Sequence, residues 1–229
     1  MSSRINNTIS SNQLSLNNPL NNRYFLMRHG ESHANRQGII VSNPDNGTTT
    51  YGLTGLGTEQ VIKTASETRL NYTTIIYCSD FLRTVETADA FARIIDTDKV
   101  IKETALRERF FGEWDGTGTE NYARVWSADE KHAVQQQYSV ETVESVAKRT
   151  TKFIQTLENR HKNKSILLVS HGDTLQILMT AFSGACLSTH RKMNAIKTAE
   201  IRALLHPEQI KTPRMIRKRA SDDISFMFE

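Results

Sequence analysis

Three short apolar runs set most of what this chain can become. Tyr24 to Met27 (YFLM), Ile75 to Cys78 (IIYC) and Ile166 to Val169 (ILLV) are apolar throughout, and helical stretches lie between them. A strand with no polar face has to be covered on both sides, which in one chain means a mostly parallel sheet with helices above and below it. The pattern predicts helices from about Thr58 to Leu70, Leu82 to Ile95, Val143 to His161 and Thr174 to Phe182. A short edge strand is expected near Lys99 to Ile101 and a last strand near Glu200 to Leu205. The expected architecture is a three-layer α/β/α domain with a mostly parallel central sheet. The polar, aromatic-dotted stretch Gly112 to Tyr138 fits neither layer and is expected to form a small cap over the carboxyl ends of the strands, where such sheets bind ligands.

At 229 residues the chain is long enough for one sizeable core and short for two. Residues 1–22 are dominated by Ser and Asn and read as a flexible leader, residues 23–206 as the folded domain, and residues 207–229 as a basic then acidic tail. Much of the net charge of +4 sits in that tail, so it does not mark a nucleic-acid-binding face. The tail ends KTPRMIRKRASDDISFMFE and reads as solvated; docking of a partner, contact with an anionic surface, or kinase modification at Ser221 are the alternatives. Cys78 and Cys186 form no CxxC pair and no disulfide framework, no apolar run is long enough for a membrane span, and the start lacks a signal-peptide core. A cytoplasmic protein is expected.

Each apolar run ends in chemistry. YFLM is followed by Arg28-His29-Gly30, and ILLV by Ser170-His171-Gly172. IIYC leads through Ser79-Asp80-Phe81-Leu82 to Arg83, in the first turn of the next helix. The edge strand runs on into Leu106-Arg107-Glu108-Arg109, one carboxylate between two arginines, with Glu113 close behind. All four segments reach the same edge of the sheet. Guanidinium forks match phosphate oxygens, and in a site with no metal-binding cluster they must carry the charge neutralisation. The ligand is then a phosphate ester. A neutral imidazole can attack phosphorus, a second histidine can donate to the phosphoryl oxygens, and Glu108 can give a proton to the leaving alkoxide and take one from water. Gly30 and Gly172 are expected to let backbone approach the phosphate, with a helix N-terminus behind Gly172.

These residues resemble the histidine phosphatase superfamily, also called phosphoglycerate mutase-like, over nearly all of Arg23 to Leu205. The diagnostic string stands here as Arg28-His29-Gly30-Glu31, with Asn35 downstream, Leu53-Thr54-Gly55-Leu56-Gly57 opening the first long helix, and His171-Gly172 as the second pair. The resemblance implies that His29 is the nucleophile, that Arg28, Asn35, Arg83, His171 and Gly172 hold the phosphate, that Glu108 is the proton donor, and that neither metal nor cofactor is needed. Glu31 is left outside the chemistry, as a residue that orients neighbours such as Arg28. Only about sixty residues separate Glu108 from His171, and His171-Gly172-Asp173 departs from the mutases' His-Gly-Asn. The expected activity is a phosphomonoesterase acting on a small phosphorylated metabolite. A phosphoglycerate mutase-type phosphotransferase and a low-turnover phosphate-binding protein on the same fold are the alternatives.

Overall fold

A computed structural model describes residues 20–131 and 137–204. The leader up to residue 19 and the tail from residue 205 lie outside the described residues, as does Ser221.

The chain forms strand β1 (Arg23–Arg28), two short helices α1 (His33–Gln37) and α2 (Pro44–Gly47), helix α3 (Gly55–Glu67), β2 (Ile75–Cys78), α4 (Leu82–Ile95) and β3 (Val100–Lys102). There follow α5 (Tyr122–Asp129), α6 (Val143–Arg160), β4 (Ser165–Ser170), α7 (Gly172–Ser183) and β5 (Ile201–Leu204). The sheet order is β3-β2-β4-β1-β5, parallel except for β5, which runs antiparallel to β1 at one edge. The mixed α/β architecture with a mostly parallel sheet is the one expected from the three apolar runs.

Those runs are apolar because each strand feeds two cores. Tyr24, Leu26, Tyr77, Ile166 and Leu168 point to one face, where Phe153, Ile154 and Leu157 of α6 and Leu175, Leu178 and Phe182 of α7 cover them. Met27, Ile76, Cys78, Leu167 and Val169 point to the other, under Val61 and Ala65 of α3 and Ala88, Phe91 and Ala92 of α4. Period-two alternation on the strands thus meets a helical stripe on either side. Burial pushes the Cys78 thiol up to about 12, as befits a small core side chain rather than a nucleophile.

Two elements begin earlier than the apolar pattern suggests. Helix α3 starts at Gly55 because Thr54 caps it, its Oγ1 accepting from Gly57 N at 3.0 Å. Helix α7 starts at Gly172, directly behind His171. The described chain also engages the core ahead of Arg23: Leu20 packs against it, and Glu158 of α6 accepts from Asn21 N, Asn22 N, Asn22 Nδ2 and the Tyr24 hydroxyl.

The cap region is built from two single 3₁₀ turns, Gly112–Trp114 and Thr119–Asn121, and helix α5. It packs its own small core of Ile40, Phe111, Val125 and Val140, with Trp114 and Tyr122 against it. Asp115 ties it to the loop after α1, its Oδ1 accepting from Ser42 N, Ser42 Oγ and Asn43 N.

Candidate active site

The strand ends β1 and β4 are hydrogen-bonded neighbours with Arg28 opposite Ser170, so parallel register alone brings His29 and His171 side by side. Their ring centroids lie 5.3 Å apart, edge to face. Both rings are buried, as is Arg83, which α4 delivers from its first turn. Arg83 makes no surface ion pair with Glu86, whose carboxylate accepts instead from Leu53 N.

His29 is held in one tautomer by its own loop. Nδ1 donates to Gly30 O at 2.7 Å, so the lone pair belongs to Nε2, where the Nε–H of Arg83 meets it at 3.2 Å. Burial, then the charges of Arg83 and Arg28, hold the imidazole well below its usual range. His171 is lowered for the same first reason, followed by Arg83 and His29. Its Nε2 contacts Ser79 Oγ at 3.0 Å. The site therefore presents two neutral imidazoles at physiological pH.

Of the six buried side-chain polar atoms without a hydrogen-bond partner among the described residues, three lie at this site: Arg28 Nε, Arg83 Nη1 and His171 Nδ1. They belong to three different segments that meet at one place. Such groups are costly to bury unsatisfied, and an anion with several oxygens is what they would accept together. The cost shows in Arg83 itself, whose guanidinium burial brings down to about 10. Its Nη2 is spent on Val41 O at 2.9 Å. Arg28 lies across the start of α7, and a Cβ on Gly172 would sit 3.5 Å from Arg28 Cζ.

Glu108 closes the site from the β3 side. Its Oε1 accepts from Arg109 N at 3.0 Å and from Thr174 N and Oγ1 at 3.3 and 3.2 Å, which fixes the carboxyl at the N-terminus of α7. Burial and the charge of Asp173 raise its pKa, against the opposing effect of Arg83 and the backbone donors. Arg107 is turned away into a bidentate pair with Asp80, at 2.8 and 2.5 Å. This geometry can bind an anion and offer an unprotonated imidazole nitrogen, and burial favours the protonated form of the nearby carboxyl.

The other expectations come out unequally. Asn35 stands exposed on α1, where its Oδ1 accepts from Ser32 N and Oγ while Ser32 Oγ accepts from Asn35 N. That reciprocal capping box spends its carbonyl on starting the helix and leaves only the amide nitrogen for a ligand. Gly30 is a glycine because of another backbone rather than a phosphate: a Cβ there would lie 2.5 Å from Gly57 O, and one on Gly57 would collide with Glu31 O. Glu31 accepts from Thr54 Oγ1 at 2.7 Å, so the group it orients is the cap of α3 and not Arg28.

From sequence alone, Tyr122 stands undecided between the wall of a substrate pocket and packing under the cap. The Tyr122 hydroxyl is raised by burial, then by Glu108, against Arg83, so it faces the same charges as the histidines. Its ring stacks on Trp126 and meets Phe111 edge-on. An aromatic on a cap helix leaves no signal separating a site wall from packing, and Tyr122 is both.

The buried imidazoles have a consequence for stability. Both bind protons near pH 6.5 in the unfolded chain and resist doing so in the fold, so the stability present above that pH is lost as pH falls below it. With two groups the slope approaches about 2.7 kcal/mol per pH unit. Thermal unfolding in a phosphate-free buffer from pH 8 to 5 should show the midpoint dropping below pH 6.5; a flat midpoint would contradict the neutral pair.

Comparison with known proteins places the chain in a family. The model of the histidine phosphatase superfamily (branch 1) matches residues 24–215. The chain is 31% identical over 170 residues, 71% of its length and 79% of the relative's, to a putative phosphoserine phosphatase 2 of Hydrogenobacter thermophilus. It is 29% identical over 175 residues, 71% of its length and 79% of the relative's, to an adenosylcobalamin/alpha-ribazole phosphatase of Escherichia coli. Among solved structures, a mycobacterial glucosyl-3-phosphoglycerate phosphatase in complex with vanadate superimposes with a TM-score of 0.66 at 22% identity, over 79% of this chain and 91% of that one. The chain belongs to the histidine phosphatase superfamily, and it is a phosphatase.

Proposed function

We propose that the chain is a metal-independent phosphomonoesterase that hydrolyses a small phosphorylated metabolite through a phosphohistidine on His29. The observation that carries this reading is the His29 ring, whose Nδ1–H is fixed on Gly30 O so that Nε2 keeps its lone pair beside Arg83. A phosphoryl group offers Arg83 several oxygens in exchange for that single nitrogen and so releases Nε2 to attack. The P–N bond forms as the ester P–O bond breaks, and the leaving oxygen takes the proton of Glu108. Water then attacks the phosphohistidine while Glu108 recovers a proton from it, giving alcohol and inorganic phosphate. Arg28, Arg83, Gly172 and the Nδ1–H of His171 hold the phosphoryl oxygens. Guanidiniums supply the positive charge that a divalent ion would supply elsewhere, and they would repel one.

Hydrolysis rather than mutase chemistry is supported by Asp173, whose Oδ2 is paired with Arg109 at 3.2 Å and whose Oδ1 lies 3.4 Å from both His190 and Arg191. Both oxygens thus face side chains of the protein, and the carboxylate is buried. The alcohol half has to lie beside Glu108, which also lines a cleft of about 440 Å³ with Asn43, Arg107, Phe110, Glu141 and Arg149. Phosphoserine and glucosyl-3-phosphoglycerate, named for the relatives, are the first substrates to try. Unpaired Cys78 and Cys186 suit a reducing cytoplasm.

The test is phosphate release from an aryl phosphate in EDTA, together with a protein-bound phosphate that is labile to acid and stable to base. An inactive chain, or one silenced by EDTA and restored by magnesium, would sink the proposal.

A further inference from the structure

Arg109, Asp129, Asp173 and His190 are each no more than 4% exposed and come from four separate segments. Arg109 follows Glu108 in the chain, Asp129 ends the cap helix α5, Asp173 sits in the first turn of α7 two residues after His171, and His190 belongs to the 3₁₀ turn Leu187–Lys192. Arg109 Nη1 and Nη2 hold Asp129 at 2.6 and 2.8 Å, Nη1 reaches Asp173 at 3.2 Å, and Nε donates to Glu141 O at 2.7 Å. His190 Nε2 lies 3.4 Å from Asp173 and 3.9 Å from Asp129. Arg191 adds a half-buried guanidinium over the Trp126 ring, 3.5 Å from its centroid, with Nη1 hydrogen-bonded to Gln176 Oε1.

A buried ionic network is weak as a source of stability, since well-packed apolar side chains often serve as well. This one borders both reacting loops, and what it does to Glu108 can be read from the charges around that carboxyl. Arg83 faces Glu108 from α4, Asp173 from α7 and the Tyr122 phenol from α5, while Arg149 of α6 touches only its backbone carbonyl, at 3.4 Å. Arg83 and the donors on Oε1 all favour the carboxylate, a form that has no proton to give. Burial opposes them, and so does Asp173, the residue before Thr174, whose N and Oγ1 hold Glu108 Oε1 at 3.3 and 3.2 Å.

We propose that Asp173 is a positioning residue, a fixed negative charge that Arg109, His190 and Arg191 hold in place so that Glu108 keeps the proton it gives to the leaving oxygen. Despite its burial Asp173 is ionised, its partners bringing it down to about 2. The inference rests on Glu108 being the proton donor and deepens that reading.

The experiment compares Asp173→Asn with wild type in kcat/KM, which reports only the steps through phosphorylation of His29. A p-nitrophenyl ester leaves without help; an alkyl phosphate does not. The variant should keep its aryl kcat/KM within about twofold and lose about tenfold or more on the alkyl ester, with the alkaline limb of its pH profile moved to lower pH. Equal losses on both esters would assign Asp173 a merely structural role, and equal retention on both would leave it no role. Should the variant not fold, wild type decides alone: an alkaline limb of alkyl-ester kcat/KM at the ordinary carboxylate range, about pH 4.3, overturns the proposal. A wild type that hydrolyses neither ester indicts the phosphatase reading instead.

Discussion

His29→Ala is expected to lower turnover of an aryl phosphate by about 10⁴-fold or more, with no phosphate left on the protein after an acid-free quench. The size follows from what remains. Arg28, Arg83 and His171 would still gather the phosphoryl group, but the attacking atom would have to be a water in a site whose groups are placed around Nε2. The backbone contacts that build the loop do not depend on the ring, since His29 N is held by Ser170 O at 3.0 Å and Gly30 N by Thr87 Oγ1 at 3.1 Å. The variant should therefore fold, bind inorganic phosphate and fail to turn over. Activity within tenfold of wild type would remove His29 from the chemistry.

The second large effect is a separation of activity from stability at Arg83. Arg83→Met should reduce kcat/KM by about 10² to 10³-fold, because the guanidinium is the group best placed to meet charge developing on phosphorus. The same change should leave the thermal midpoint unchanged or raise it. Arg83 is a buried charge with an unsatisfied Nη1, lowered by desolvation, and a methionine of similar reach removes that penalty at the loss of the hydrogen bonds to Val41 O and His29 Nε2. Vanadate or phosphate should stabilise wild type in proportion to the logarithm of its concentration and should do so far less in the variant. A variant destabilised by several kcal/mol, or one still stabilised by anions as wild type is, would show that Arg83 serves the fold.

Much of this was legible in the sequence because the information was local. The strand IIYC and the helix Leu82–Ile95 have in the structure the bounds their apolar periodicity gives, and the two His-Gly pairs could be placed as soon as their strands were read as parallel. Arg83 followed from the same register. Other features depended on contacts between distant positions. Arg109 and Asp129 are twenty residues apart, separated by a polar stretch with no helical stripe, and nothing in either residue announces that they share a buried bond. Gly30 and Gly57 look like loop glycines until the two backbones are found crossing. Asn35 has a second role that is local too: Ser32 and Asn35 carry the spacing of a capping box, which uses the Asn35 carbonyl and leaves its amide nitrogen. The direction of β5 had no sequence signal, since a strand at a sheet edge pairs either way with similar ease.

The four hydrogen bonds that Glu158 accepts bear on how the protein can be trimmed. They fasten the segment before β1 and the first turn of that strand to the last turns of α6, at the end of the strand opposite His29. A form cut at Arg23, where the apolar run suggests the domain begins, would lose three of those donors along with the packing of Leu20. It would leave a partly buried carboxylate with the Tyr24 hydroxyl alone, on the strand that leads into His29. A shortened version for crystallisation or tagging should therefore start at or before Leu20.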